Sequence, residues 1–404
     1  MDPKELTRRQ LLREAAGLAA AASAGAVAGC NMDMLFPNAG GQWASAIDPL
    51  CAAEGDDGGA DAEAGTPAGT SAAPLTSAGD SGAGADGGGA PLGPTVVSVE
   101  RDDSVILNTN PAIRSVTIDA AVVQSMLDTA LSTLAGSVDN PWKVLLPDYA
   151  PGMRIGLKVN GLNQTLGTHA ELVAAVINSL VTHLGVDPTK QVIVWELFLS
   201  YLTNKPGYSS AAFGGAQILG TTNSPNDSNG PGFRLNPCAY IPGSMGNSPR
   251  LSNILVEMTD VTINMPVLKT HNTVSGVTGA LKNAYGMIDI PGSYHGSYAT
   301  QAIPQVFAMP PIRKSMRLTI LDGLQAVIWG ATSDYPNAVP KTILVSQDPV
   351  AMDSYEVDFI NHLCDTTPTD QGTYYPHVDS SQLGWLPVAE ALGLGKQAYN
   401  LVTA

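Results

Sequence analysis

Lysine, histidine, asparagine and aspartate recur in this chain at the ends of apolar runs, where side chains can meet a ligand. Lys158, Lys269 and Lys282 could neutralise a carboxylate or a phosphate. Asn160 and Asn283 could orient it, and His271 or His169 could move a proton, with Asp322 or Asp353 holding the imidazole. The densest stretch is Val261 to Gly286, VTINMPVLKTHNTVSGVTGALKNAYG. Its first five residues are apolar and β-branched, the pattern of a buried strand. Pro266 and Lys269-Thr270-His271 end that strand. A loop of small residues, Ser275-Gly276-Val277-Thr278-Gly279, leads to a short helix carrying Lys282 and Asn283. A strand, a glycine turn and a helix opening form an anion cradle, because the first backbone N–H groups of a helix are unpaired. That reading places Gly276 and Gly279 among the substrate-binding positions. The spacing departs from G-x-x-x-x-G-K-[ST], so a nucleotide is not indicated. The competing structural explanation is that the glycines permit close packing and the lysines are solvated.

A metal-dependent version of the site would use His169, His271 and His295 with an aspartate, a donor set suited to Zn, Fe or Ni. These positions are dispersed along the chain, and no C-x-x-C or C-x-x-H spacing marks a zinc or iron–sulfur site. At this level the cofactor is unknown, with a metal still open.

The elements that would position these residues are legible as five apolar runs, each ending in a polar residue. Arg154–Val159 leads to Asn160, Gln191–Trp195 to Glu196, and Val261–Met265 to Lys269 and His271. Arg317–Leu321 leads to Asp322, and Lys341–Val345 to Ser346 and Asp348. Helical patterns at Asp119–Leu134 and Ala170–Leu184 intervene. Alternation of strands and helices predicts a single large α/β domain with a mostly parallel sheet flanked by helices. In open α/β sheets ligands bind beyond the carboxyl ends of the strands, which would gather Asn160, Glu196, Lys269, His271, Asp322 and Asp348 on one rim.

Several of these residues have a structural explanation as well. Thr168-His169-Ala170-Glu171 reads as a capping box, with His169 first in the helix, where the dipole disfavours imidazolium. Asp348-Pro349 reads as a helix start. Asp322-Gly323 could be a turn. Asp353 lies too far into its helix to cap it, so it faces either solvent or the site. His295 sits in an aromatic, Gly/Ser-rich loop, Pro291–Tyr298, that could close over the rim. The long Gly/Asn/Ser/Pro-rich insertion Asn204–Asn247 offers Phe213, Phe233 and Tyr240 as pocket walls.

The pieces PVLKTH and GVTGALKN, with RIGLKVN at Arg154, THAELVAAVI at Thr168, ILDG at Ile320 and SQDPVAMD at Ser346, resemble the signature of the family catalogued as domain of unknown function 362 (DUF 362). The likeness runs from about Val96 into the C-terminal region. It implies a fold and a candidate site without naming a reaction. Some members carry an added iron–sulfur segment with clustered cysteines; this chain has no such cluster, which weighs against electron transfer.

The N-terminus reads as an address. Thr7-Arg8-Arg9-Gln10-Leu11-Leu12-Arg13 resembles a twin-arginine export motif, followed by a weakly apolar run, Ala15–Gly29, too short and too Ala/Gly-rich to span a membrane. Val27-Ala28-Gly29-Cys30 resembles a lipobox, with Cys30 the lipidated residue; an ordinary signal peptide with a small-residue cut site is the alternative. Residues 31–94 are rich in Gly, Ala, Ser, Thr, Pro and Asp and contain no Lys or Arg, as expected of a disordered tether. Cys51 within it reads as incidental. The expected order is therefore signal 1–30, linker 31–94 and α/β domain 95–404. Cys238 and Cys364 could pair in an oxidising compartment or stay free. The chain carries a formal net charge of −16, and residues 101–404 hold 23 acidic against 16 basic residues, a net of −7. That balance argues against nonspecific nucleic-acid binding. The expected partners are a small anionic ligand and a membrane reached through the lipid anchor. An exported enzyme acting on that ligand is the leading expectation, and a non-catalytic anion-binding module is the alternative.

Overall fold

The computed structural model describes residues 47–51, 93–108, 116–244, 248–369 and 371–404. The arginine pair, Cys30 and most of the 31–94 stretch lie outside the described residues.

The strands in chain order are β1 (Thr95–Glu100), β2 (Val105–Leu107), β3 (Val116–Ile118), β4 (Ile155–Val159), β5 (Val192–Phe198) and β6 (Gln217–Thr222). They continue as β7 (Val261–Met265), β8 (Val267–His271), β9 (Gly276–Val277), β10 (Met316–Val327), β11 (Thr342–Ser346) and β12 (Asn400–Thr403). The principal helices are α1 (Ala120–Ala135), α2 (Ala170–Leu184), α3 (Ala299–Phe307), α4 (Pro349–Thr366) and α5 (Trp385–Ala391). The main sheet runs β12-β1-β11-β10-β7-β4-β5-β6, with β8 added to the far end of β10 and β9 to β8. Every pairing along the β10-β7-β4-β5-β6 side is parallel, so the fold is the expected mostly parallel α/β sheet.

Two apolar cores form, one on each sheet face, as a sheet buried on both sides requires. One face packs Val123, Leu127 and Leu131 of α1 and Leu172, Val176 and Leu180 of α2 against Leu157, Val194 and Ile263. The other packs Ile303 and Val306 of α3, Met352 and Ile360 of α4 and Trp385 of α5 against Trp195, Leu321 and Leu344. Local signals set the helix ends. Asp119 accepts from the N–H groups of Ala121 and Val122 at the start of α1, and Gly136 closes it with φ 61°.

Three expectations about these elements are corrected. The fifth apolar run, β11, lies antiparallel to both β10 and β1, so Ser346 and Asp348 leave the sheet at the end away from the expected rim. Asp348 caps α4 by accepting from Val350 and Ala351, and it takes the Lys396 N–H as well. The expected capping box at α2 does not form: His169 is the N-cap and makes no side-chain cap. Thr168 Oγ1 instead accepts from Asn160 N at 2.9 Å and donates to Met265 O at 2.7 Å, joining the ends of β4 and β7.

The third correction concerns cysteine. Cys51 forms a disulfide with Cys238, while Cys364 is free and buried. Asp48 reinforces the attachment through Arg234 Nε at 2.8 Å. Residues 47–51 are therefore fastened to the domain from within the stretch expected to be a spacer. A cross-link across a sequence separation of 187 residues is worth about 5 kcal/mol in the chain-entropy picture.

Candidate functional site

The order of the strands decides where the site lies. From β4 the chain moves outward through β5 and β6, then returns to the other side of β4 to make β7 and β10. The reversal falls between β4 and β7, and the carboxyl ends of two such strands leave the crevice where α/β sheets bind ligands. An open cleft lies there, enclosing about 690 Å³ of non-protein space with its mouth included. Asn160, Glu196, Lys269, Lys282, Asn283 and His295 line it, with Tyr201 and Tyr285 as aromatic walls.

Asn160, Glu196 and Lys269 lie at or near strand ends, while Lys282 and Asn283 come from the 3₁₀ turn Lys282–Met287 and His295 from a loop. Lys158, wholly buried in β4, donates to Glu196 Oε1 at 2.9 Å and to Val159 O at 2.8 Å. Glu196 also accepts from the N–H groups of Gly161 and Leu197, so its carboxylate is saturated by protein donors. Gly286 is required behind this pair, since an added Cβ would collide with both Glu196 and Lys158. An amide ladder crosses the floor. Asn264 Nδ2 donates to Ala280 O, Asn283 Nδ2 to Asn264 Oδ1 at 2.8 Å, and Asn160 Nδ2 to Asn283 Oδ1 at 3.0 Å. Asn160 Oδ1 in turn accepts from Lys269 Nζ at 2.7 Å. Lys282 Nζ lies 2.7 Å from His271 Nδ1 and donates to Ser275 Oγ at 3.0 Å.

Around the cleft the charge is mostly positive, although the protein as a whole is acidic. Two lysines, 269 and 282, line the cleft with the carboxylate Glu196, while Lys158, buried and paired with Glu196, and Lys205 lie close enough behind it to act on the Lys269 charge. Burial, with Lys205 nearby, brings the Lys269 ammonium down to about 7. Burial likewise brings Lys205 down to about 8. Burial and then Lys282 depress His271 to about 2 and His295 to about 3, so both imidazoles are neutral at physiological pH. His295 Nδ1 lies 2.9 Å from Pro291 O, which makes Nδ1 the protonated nitrogen and Nε2 the acceptor.

The expected anion cradle is present, but the protein fills it. Helix-like N–H groups do open before Lys282, and those of Ala280 and Leu281 donate to the Asp353 carboxyl. Glu356, one turn on along α4, accepts from Lys269 N at 3.4 Å. Gly279 fits between them because an added Cβ would collide with both carboxyl groups. Gly276, at φ 70°, gives its N–H to Gln382. Both glycines thus serve close packing, and the helix expected after them is a six-residue 3₁₀ turn, Lys282–Met287. Burial raises Asp353 to about 7, and burial with Asp353 alongside raises Glu356 well above the carboxylate range.

The structure therefore brings together Lys158, Asn160, Lys269, Lys282 and Asn283, with His271 behind Lys282. It places Asp353 beneath the loop rather than in the cleft. Asp322 and His169 form their own pair beside it: Asp322 accepts from His169 N at 2.7 Å and stands 2.9 Å from His169 Nδ1. Burial works against the His169 imidazolium, but Asp322 outweighs it and raises the pKa, reversing the helix-dipole expectation. Among the described residues, no three His, Cys, Asp or Glu side chains form a group that could hold a metal; His271 and His295 lie ring to ring at 5.7 Å, while His169 belongs to Asp322. Phe213 is core, Tyr240 is exposed, and neither lines the cleft.

Lys205 and Glu356 were not legible as site residues. Lys205 lies in the insertion after β5, where composition suggested only loop. Glu356 had a usable signal: three residues after Asp353 on a helix, it must share that residue's face.

No curated protein and no solved structure matches the chain. One family model does, over residues 155–358, from the first strand of the switch point through the Asp353–Glu356 turn of α4. The β1, β12 and Cys51 additions lie outside that span. By that match the chain belongs to the family described as Domain of unknown function (DUF362).

Proposed function

We propose that the protein is an exported, lipid-anchored enzyme that acts on a small anionic substrate in the cleft at the β4–β7 switch point. The observation that carries the reading is two lysines, 269 and 282, lining a cleft backed by Lys158 and Lys205, whose lining carboxylate, Glu196, is already spent on Lys158 and two backbone N–H groups. Clustered ammonium groups repel one another, and an external carboxylate or phosphate relieves that repulsion. Lys282 is the substrate-binding residue on this reading, with Asn283 holding Asn160 and Asn160 orienting Lys269. Lys269 is the proton-transfer group, since an amine near 7 exchanges protons at working pH. His295 Nε2 is a second acceptor at the wall. Asp322 and Asp353 act by position: one fixes His169 at the start of α2, and the other fixes the loop that carries Lys282. A disulfide between Cys51 and Cys238 supports an oxidising compartment, in keeping with the twin arginines and Cys30.

The test is calorimetric titration of the mature protein with inorganic phosphate and with small mono- and dicarboxylates. Binding of at least one class is expected, weakened tenfold or more in Lys282→Met. Absence of binding by every anion, or binding indifferent to Lys282, would overturn the reading. Anion binding with no turnover of any bound carboxylate or phosphate would favour the non-catalytic module, which rests on the same cluster of lysines.

A further inference from the structure

We propose that Lys269 is a nucleophilic amine that condenses with the carbonyl group of a small oxo acid or related carbonyl compound bearing a carboxylate or phosphate. The inference rests on the anionic-substrate reading and narrows it to one substrate class.

The four lysines of the site are not equivalent. Lys158 is committed to Glu196, Lys282 to His271 and Ser275, and Lys205 to the Asn163 carbonyl. Lys269 Nζ donates to the neutral amide oxygen of Asn160, and among the described residues no carboxylate lies within ion-pairing distance of it. Glu356 accepts from the Lys269 backbone N–H instead. The amine therefore stands buried at the cleft floor with no directly paired counterion; burial and Lys205 favour its free base, and the more distant Glu196 and Glu356 offset this only in part. The Lys269 pKa of about 7 agrees with this. About half of its amine is then neutral at pH 7, against on the order of 0.1 % for an exposed lysine.

The remaining residues suit the same substrate. Lys282 lines the cleft beside Lys269 and can hold the anionic group, while Tyr201 and Tyr285 limit the size of what enters. In the condensation the Lys269 nitrogen attacks the carbonyl carbon and a C–N bond forms as the C=O π electrons move to oxygen. The resulting carbinolamine loses its oxygen with both amine hydrogens as one water molecule, leaving an imine. No oxidant or reductant is needed. His295 Nε2 is a lone-pair acceptor suited to relaying a proton between nitrogen and the departing oxygen.

The experiment is reductive trapping on the mature, disulfide-intact protein. Samples are mixed with pyruvate, with glyoxylate, or with acetaldehyde as the carbonyl lacking an anion, then reduced with sodium borohydride and mapped by peptide mass spectrometry. Expected is a reduced adduct on Lys269 formed with pyruvate or glyoxylate at least tenfold faster than on exposed Lys190 and Lys396. Inorganic phosphate should suppress it, acetaldehyde should label Lys269 no better than the exposed lysines, and the rate should rise with pH through about 7. Lys269→Arg, which keeps the charge, should give no adduct at that position while still binding pyruvate by calorimetry. Labelling confined to exposed lysines would overturn the proposal. If pyruvate still binds in that case, the imine fails and the anion site stands; if it does not bind, and neither does phosphate, both fail.

Discussion

At the scale of the residue, the site is where buried ionisable groups are concentrated. Lys269 sits at about 7 because burial and Lys205 oppose its ammonium. The folded state therefore carries a penalty that grows as pH falls from the unfolded value near 10 toward 7 and is constant below. Lys269→Met keeps the volume and removes the penalty. It should raise the melting temperature at pH 6 while lowering affinity for phosphate or carboxylate at least tenfold, about 1.4 kcal/mol. Scanning calorimetry and titration read the two effects, and a variant that unfolds would show the lysine to be structural. The carboxyl pair beneath the loop has the opposite protonation but the same origin. Asp353 and Glu356 titrate above their unfolded values, so folding favours their protonated forms. That stabilisation is complete below about pH 4 and is lost as pH rises through about 7. Among the described residues Glu356 Oε2 has no hydrogen-bond partner, and in Glu356→Gln an uncharged amide would stand beside Asp353. The variant should melt higher than the parent at pH 8 and show a flatter dependence between pH 4 and 8. An unchanged pH profile would mean the pair is not the titrating group.

At the scale of the element, the hairpin of β8 and β9 and the turn after it form one unit clamped from below by α4. The N–H groups of Ala280 and Leu281 and the side chains of Asp353 and Glu356 close on each other across Gly279. No side chain fits between them, so Gly279→Ala must separate the turn from the helix. It should cost about 2–3 kcal/mol or more, in the range of overpacked cores, and displace Lys282 and Asn283. Urea denaturation measures the first effect and anion titration the second. A variant of unchanged stability would show that the clamp is looser than these contacts imply.

At the scale of the whole molecule, the N-terminal stretch is fastened to the domain at residues 47–51. Deleting residues 31–94 would therefore remove Asp48 and Cys51 along with the spacer. Cys51→Ser with Cys238→Ser should lower stability by about 2–5 kcal/mol, whereas deletion of residues 31–46 should change the melting temperature little. Equal melting of parent and double variant would show the disulfide to be dispensable. If Cys30 carries a lipid, the 16 residues 31–46 separate it from Ile47 in the sequence. Mass spectrometry of the mature N-terminus should find a lipidated Cys30; an unmodified terminus elsewhere would remove the anchor from the reading. Among the described residues no helix is long and apolar enough to cross a membrane.

The sequence by itself determined the periodic features. The apolar runs are strands because β-branched residues buried on both faces have no other regular solution, and the expected β7 and α2 have the same bounds in the structure. Proximity of Lys158, Asn160, Lys269 and Lys282 also followed from the sequence, because parallel strands of similar length align their ends. Tertiary structure decided what no local pattern encodes. The direction of β11 depends on whether its connection turns back or crosses over, and an apolar run reads alike both ways. Thr168 left its helix cap because the ends of β4 and β7 offered it partners in Asn160 N and Met265 O. The anion cradle was legible, but its occupant, Asp353, lies more than seventy residues on. Cys51 found Cys238 across a separation of 187 residues. Each of these outcomes depends on which groups burial leaves in need of a partner, and that is settled only when the sheet and its two cores have closed.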